Sequence, residues 1–389
     1  MPPLHIGHVP TPLSQAGSSI ARVIREITRQ HSSHGGRTTV AVAANRDLAI
    51  EGADNRLVDY LQTCPRQWFN RRETAIDVAV GRLGHTRPYY GRLQRPAMDA
   101  FAVAKPDVIV IHEGHYAAAS LQLWRKRFST SLIVLYLHNP LSRSYSRAEV
   151  RRLLGAADGL IFVSARARDL EEGRFGPFPV PTSVVHNGVD RDVFRPGPRE
   201  LEPRGERARQ ITYVGQVAPH KGVDLLFNAI AASQLRGARI RVIGSGAHDP
   251  SHPMTSYEQS LREQARTLGL NVEFTPFSAQ TVVAQAYRDS DIVCVPSIWN
   301  EPFGMVALEA MASGAAVVAS DRGGLPEACG DAATLVDPEN LGQFAAALDL
   351  HADPEFLHAQ RCKSVERASR AGWDETYDQL VTALAGWGK

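Results

Sequence analysis

The chain has 389 residues, 43% of them hydrophobic and 22% charged, with a formal net charge of +2. That length suits two domains of about 100–200 residues each, and the near-neutral balance excludes a global polyanion-binding surface. Cys64, Cys294, Cys329 and Cys362 are scattered with no C-x-x-C, which speaks against a disulfide framework or a zinc site. There is no basic-then-apolar leader and no apolar run long enough to span a bilayer, so the expectation is a cytoplasmic enzyme. The basic residues are nearly all Arg, which together with abundant Ala and Gly suggests a GC-rich genome.

Leu4 to Val9 reads as a strand, followed by a small-residue loop through Gly17 and then Ile20, Val23, Ile24 and Ile27 at helical spacing. Ser18 or Ser19 can cap that helix. Strand, small-residue loop and helix form the phosphate-approach arrangement of a Rossmann-like domain, although a βα turn with one glycine needs no ligand. Further strands are expected at Thr38 to Ala43, Val108 to His112, Leu132 to His138 and Leu160 to Ser164. Short Val/Ile/Leu-rich runs separated by helices indicate a parallel sheet covered on both faces. Ligands on such sheets bind beyond the carboxyl ends of the strands, which gathers Gly17, His112, Glu113, His115, His138 and Asn139 around one crevice.

Between Cys64 and Phe101 the alternation breaks. Arg66, Arg71, Arg72, Arg82, Arg87, Arg92 and Arg95 interleave with Trp68, Phe69, Tyr89 and Tyr90, a pattern for an acceptor-binding or membrane-surface element. A solvated excursion whose arginine stems cover apolar surface gives the same pattern. No nucleic-acid-binding fold or repeat accompanies it. The Pro-, Gly-, Glu- and Arg-rich segment from Gly197 to Gln210 reads as a linker.

A second alternation starts at Ile211. Strands Ile211 to Val214, Arg239 to Ile243, Val272 to Phe274, Asp291 to Val295 and Ala315 to Ala319 are expected, and most of their following loops carry glycine. Glycine lets backbone amides approach a ligand closely, and Lys221 can neutralise a phosphate as a point charge. Asp289-Ser290-Asp291 is a D-x-D, a pattern that holds metal elsewhere. Here it is read as the end of one helix and the start of a strand.

The most informative stretch is Ser297 to Ala312, S-I-W-N-E-P-F-G-M-V-A-L-E-A-M-A. Pro302 is tolerated in a first helical turn, so a helix is expected from near Gly304 through Ala312. Its free amides on Gly304, Met305 and Val306 offer an anion site next to Glu301, with Glu309 more than a turn inside. An ordinary amphipathic helix after a strand has the same spacing. Trp373 to Leu384 reads as a final amphipathic helix.

These residues resemble the retaining glycosyltransferases of family 4. The resemblance is strongest from His186 to Val336: His-Asn-Gly-Val-Asp with Phe194, Val214-Gly215 with Lys221-Gly222, Ile243-Gly244 with Gly246, Pro296-Ser297, E-P-F-G-x-x-x-x-E-A-M-A, and G-G-L-P-E. It is looser in the first half, through Gly17, Leu137-His138 and Pro106-Asp107-Val108. It implies the α/β GT-B fold, two Rossmann-like domains facing across a cleft: an acceptor-binding domain over 1–196, a linker over 197–210, a nucleotide-sugar-binding domain over 211–370, and a helix over 371–389 that crosses back to the first domain.

By the same resemblance Glu301 and His138 are the catalytic residues, Glu301 on the donor sugar hydroxyls and His138 positioning the sugar. Gly17, Gly215, Gln216, Lys221, Gly244, Phe303, Gly304, Met305, Val306 and Glu309 are the donor-binding set, with Glu309 on the ribose. Glu113, His115 and Asn139 are acceptor-side candidates. The family holds the diphosphate with an Arg and a Lys; Lys221 matches, but Gln216 stands at the Arg position and brings no charge. No metal or other cofactor is expected beyond a nucleoside-diphosphate sugar co-substrate, UDP-linked by family habit. The basic-aromatic stretch favours a cell-envelope glycolipid or polysaccharide as the hydroxyl acceptor, with peripheral contact at the inner face of the membrane. A soluble aminocyclitol, thiol or cyclitol metabolite is the alternative. A GT-B phosphorylase or epimerase, or an inactive sugar-nucleotide-binding protein, is the competing class.

Overall fold

The computed structural model describes residues 4–10, 18–43, 49–59, 71–83, 85, 87–113, 117–197, 209–246 and 253–387. The chain forms two compact units, Met1–His186 with Thr376–Lys389, and Asn187–Glu375.

The first unit is built on a seven-stranded sheet of β1 (His5–Val9), β2 (Arg37–Ala43), β3 (Asp54–Val58), β4 (Val108–Glu113), β5 (Leu132–Leu137), β6 (Gly159–Phe162) and β7 (Thr182–Val184). Every pairing is parallel and the order is β3-β2-β1-β4-β5-β6-β7. The helix Ser19–Ser33 follows β1; the Ser18 hydroxyl accepts from the Ala21 amide, and Ile20, Val23, Ile24 and Ile27 are buried along it. Ile20, Ala21 and Ile24 pack on Val40 and Val42 of β2. Ile109, Ile111, Ile133 and Leu135 join Phe101, Trp124 and Phe162 in the main core.

The second unit holds a six-stranded sheet of β8 (Gln210–Val214), β9 (Arg239–Ile243), β10 (Asn271–Thr275), β11 (Ile292–Val295), β12 (Ala316–Ser320) and β13 (Ala333–Val336). It is also wholly parallel, in the order β10-β9-β8-β11-β12-β13. Numbered within the unit this is 3-2-1-4-5-6, the Rossmann order, whose ligand crevice opens where the winding reverses, between the first and fourth strands. In this unit that point lies past β8 and β11.

The residues before β8 belong with the second unit. Val189 bridges to Gly372, Phe194 is buried against Tyr287, and Arg191 clasps Asp374. The helix Trp373–Trp387 starts in that unit, while its residues from Thr376 on belong to the first. There the Tyr377 hydroxyl meets His31 Nδ1 at 2.8 Å, and Gln379 Oε1 accepts the His186 amide.

Part of the basic-aromatic stretch, including Cys64, Arg66, Trp68 and Phe69, lies outside the described residues, as does most of the 197–210 segment. What is described corrects the reading of Arg87 and Tyr90 as surface groups. Arg87 is 3% exposed, pairs with Glu149 through Nε at 2.9 Å and lies 4.6 Å over the Tyr145 ring. Buried Asp77 receives the amides of Tyr89 and Tyr90 at 2.9 and 2.7 Å. A guanidinium without water needs such a partner, so this arginine is a structural clasp. Arg71, Arg72 and Arg82, on the helix Arg71–Arg82, remain exposed.

Candidate functional site

The second unit's switch point is assembled from the loops after β8, β11 and β12 and from one helix. The first follows β8. Gly215 has φ of 151° and its amide bonds Ile243 O at 3.0 Å. A Cβ on Gly244, whose φ is 143°, would stand 1.9 Å from Gly215 O, so the loops after β8 and β9 meet backbone to backbone and only glycine fits. The Gln216 side chain donates through Nε2 to Gly246 O at 2.8 Å, and the Tyr213 hydroxyl donates to Gln216 O at 2.7 Å. Burial first, and then the charge of Glu301, push the Tyr213 phenol well above its ordinary range, so it stays a donor.

The same loop turns at Pro219–Lys221 and docks on the segment after β11. Ile298 N donates to His220 O at 2.9 Å, and a Cβ on Gly222 would lie 2.1 Å from Pro296 O. This contact brings Lys221 to Glu301, 80 residues later. Lys221 Nζ is 2.5 Å from Glu301 Oε1, and the Ser297 hydroxyl donates to the same oxygen at 2.6 Å. Lys221 also lies 5.2 Å over the Trp299 ring. Both members of the ion pair keep some exposure, 19% and 13%, so they are partly desolvated and still reachable.

The loop after β12 fixes Glu301 from the other side. Gly324 N donates to Glu301 O at 2.7 Å, and Gly323, at φ of 61°, has no room for a Cβ beside that carbonyl. Arg322 donates to Ile298 O after β11 and pairs with Asp337 and Glu339 after β13, so its guanidinium is committed to the neighbouring loops. It does not supply the charge that Gln216 lacks.

The fourth element is the helix Met305–Ala312. Gly304 is its N-cap at φ of 113°, where a Cβ would meet Leu325 at 2.5 Å. Pro302 therefore lies outside the helix rather than in its first turn, because only glycine serves at this left-handed cap. The first-turn amides of Met305 and Val306 have no intrahelical partner, as at any helix start. Glu309 shares the face of Met305, one turn on, and is buried, as is Phe303.

In the first unit, Gly17 and His115 lie outside the described residues. Glu113 is buried, and its Oε2 accepts the Ala118 amide. Asn139 is half-buried beside His138. His138 ends a file of three imidazoles, the expected neighbours His112 and His138 joined by His8: His8 Nδ1 lies 2.9 Å from His112 Nε2, and His112 Nδ1 lies 2.9 Å from His138 Nε2. Tyr136 stacks on His112 and His138. Burial pushes His8 and His138 down to about 3 and His112 well below its ordinary value, so the file is neutral. His8 carried a signal, a polar residue inside an apolar strand, but its partners come from strands about 100 residues away.

Asp291 is buried and accepts the Gln210 amide at 2.8 Å, at the start of β11. Among the described residues no cluster of three or more His, Cys, Asp or Glu is arranged to hold a metal ion. Nor is any helix among them long and apolar enough to cross a membrane.

Two wholly parallel Rossmann-type sheets, the second with glycine loops and a Lys–Glu pair at its switch point, define the GT-B class of fold. Residues 20–193 match the family model "Glycosyltransferase Family 4", and residues 199–368 match "Glycosyl transferases group 1". Between them the two models span most of the chain, which belongs to this glycosyltransferase family.

It is 38% identical over 222 residues to the D-inositol 3-phosphate glycosyltransferases of Mycobacterium bovis and Mycobacterium tuberculosis, covering 54% of this chain and 44% of theirs. The chain thus matches under half the length of these curated relatives. Among solved structures it is similar to sucrose-phosphate synthase from Thermosynechococcus elongatus, with TM-score 0.74, 18% identity and 98% of each chain covered. It is similar also to a glycosyltransferase from Rickettsia africae, with TM-score 0.75, 14% identity and 100% of each chain covered. A third is the Anabaena HepE protein in complex with UDP and glucose, with TM-score 0.72 and 19% identity, covering 98% of this chain and 100% of that one. At these identities the structural likeness speaks to the fold.

Proposed function

We propose that the protein transfers a hexosyl unit from a UDP-sugar, with retention, to a hydroxyl of a cell-envelope glycolipid or polysaccharide. The observation that carries the donor half is the Lys221–Glu301–Ser297 cluster at the β8/β11 switch point, beside the start of the helix Met305–Ala312. Lys221 and the amides of Gly304, Met305 and Val306 take the diphosphate, where the departing charge needs stabilisation. Gly215 and Gly244 let backbone approach the nucleotide, with Gln216 and Phe303 beside them, and Glu309 takes the ribose. Gly17 stays a donor-phosphate candidate from its sequence position alone.

Glu301, freed in part from Lys221 as the diphosphate arrives, orients the sugar hydroxyls. His138 is assigned the positioning of the sugar. The bond from the anomeric carbon to the diphosphate oxygen breaks, the acceptor oxygen bonds that carbon from the same face, and the acceptor proton passes to the departing phosphate oxygen. Glu301 and His138 position and stabilise rather than attack. Recovery of a glycosyl-enzyme adduct from a Glu301→Ala variant would overturn this route.

The acceptor half is supported by the exposed Arg71, Arg72 and Arg82, with Arg71 and Arg82 flanking Ala75, Val78 and Ala79 along one helix face. Such a face suits peripheral contact with an anionic membrane at its inner leaflet. Glu113, His115 and Asn139 are retained as acceptor-side candidates. The names of the mycobacterial relatives favour a second reading, a soluble phosphorylated cyclitol as acceptor. Radiolabelled UDP-sugars offered with an envelope lipid extract or with inositol phosphates separate the two. Label in the lipid phase, lost on charge reversal at Arg71, Arg72 and Arg82, supports the first reading; label only in water-soluble product defeats it.

A further inference from the structure

The three-imidazole file constrains its own protons. His8 lies on β1, His112 on β4, and His138 just past β5. The register pairs His8 with Val110 and His112 with Tyr136. Two-residue spacing along β4 and β5 then turns His8, His112 and His138 to one face of the sheet. His112 is fully buried and uses both ring nitrogens on its neighbours. A neutral imidazole has one N–H and one bare nitrogen, so the protons must all point the same way along the file.

The buried end decides which way. His8 is fully buried and its Nε2 has no hydrogen-bond partner. If the protons pointed toward His8, that nitrogen would carry an orphaned N–H. If they point away from it, the same nitrogen is a bare lone pair, and orphaned buried donors are the rarer defect. His8 Nδ1–H then donates to His112 Nε2, His112 Nδ1–H donates to His138 Nε2, and His138 is left with its hydrogen on Nδ1. That nitrogen belongs to the residue at the strand end, and His138 keeps 8% exposure where His8 and His112 have none.

We propose that His8 and His112 are positioning residues that lock His138 as the neutral Nδ1–H tautomer, so that it meets the donor sugar as a hydrogen-bond donor. The sugar role rests on the reading of His138 given under Proposed function; the lock itself does not. A neutral donor suits the reaction: it binds a hexose oxygen without adding positive charge beside an anomeric carbon that becomes cationic as the diphosphate leaves. Locked this way, His138 cannot compete with the leaving phosphate for the acceptor proton.

The test is 15N spectroscopy of the full-length protein labelled at histidine, with His138 assigned by the resonances lost in His138→Gln. The lock predicts a pyrrole-like Nδ1 and a pyridine-like Nε2 for His138 in the wild type. A protonated Nε2, an imidazolium or a fast tautomer mixture overturns it. In His8→Leu, His138 becomes a tautomer mixture and kcat falls about 10- to 100-fold with KM for the donor little changed, the scale seen when the partner that orients a functional imidazole is removed. An unchanged His138 spectrum in that variant overturns the part assigned to His8. Should the variant not fold, the wild-type spectrum decides alone. If the wild type shows the Nδ1–H form while His138→Gln transfers sugar at full rate, the lock stands and the sugar role of His138 is refuted.

Discussion

Acidification charges imidazoles, and the buried file of His8, His112 and His138 holds three of them where charge is costly. His8 is fully buried and its pKa is pushed from 6.5 down to about 3. Such a group binds fewer protons folded than unfolded, so its contribution to stability is complete above the unfolded value and is lost as pH falls through 6.5 toward 3. Between pH 7 and pH 5 the loss for one such imidazole is about 2 kcal/mol, a sizeable part of a typical domain stability of roughly 5–15 kcal/mol. The variant His8→Leu removes this term and, if anything, relieves His112 of a like-charge neighbour. Burial pushes the carboxyls of Asp77 and Glu171 up, which acts in the opposite sense, but equally in both proteins, so the comparison cancels it. The assay is amide hydrogen exchange in peptides covering β4 and β5, corrected for intrinsic rate, at pH 7 and pH 5. The free energy of opening should fall by about 2 kcal/mol more in the wild type than in His8→Leu over that interval. Parallel pH dependences in the two proteins would refute the burial argument.

Three further outcomes follow from the geometry. Lys221→Ala should lower kcat/KM for the donor about 10²- to 10³-fold, the usual cost of losing one stabilising group on a departing charge; a change under threefold contradicts its place at the diphosphate. Gly244→Ala places a methyl 1.9 Å from Gly215 O at a φ of 143°, and should cost about 2–4 kcal/mol in the second unit's denaturant transition. Arg87→Met should destabilise the first unit by about 3–5 kcal/mol through the stranded Glu149 carboxylate, and adding Glu149→Leu should recover much of that. Additive losses in that double variant would mean the pair is not the cause.

Some of this was open to reading in the chain itself. The two Rossmann-type alternations, the helix after Gly304 and the helix from Trp373 all follow from local signals, runs of Val and Ile closed by glycine or recurring at helical spacing. Strands β3 and β13 escape because they are short and half-exposed sheet edges; Asp54–Val58 has no apolar run to betray it. Glu301 was recognisable by its motif, but its two bonding partners were not of equal visibility. Ser297 is four residues away, whereas Lys221 meets it only because β8 and β11 are neighbours in the sheet. Arg87 misled as part of a basic run because composition does not reveal that Glu149 lies buried across from it. The histidine file depends on parallel register among three strands, which no local pattern encodes.

The central claim is that the β8/β11 switch point takes a nucleoside-diphosphate sugar. Its most direct measurement is the thermal unfolding of the wild type and Lys221→Ala against a panel of UDP-, GDP- and ADP-sugars, with the free nucleotides alongside. Ligand at about 100 times its Kd stabilises by about 2.7 kcal/mol. UDP-sugar should raise the Tm of the wild type, and most of that rise should be lost in Lys221→Ala. An unchanged Tm across the whole panel, or equal stabilisation of both proteins, would contradict it.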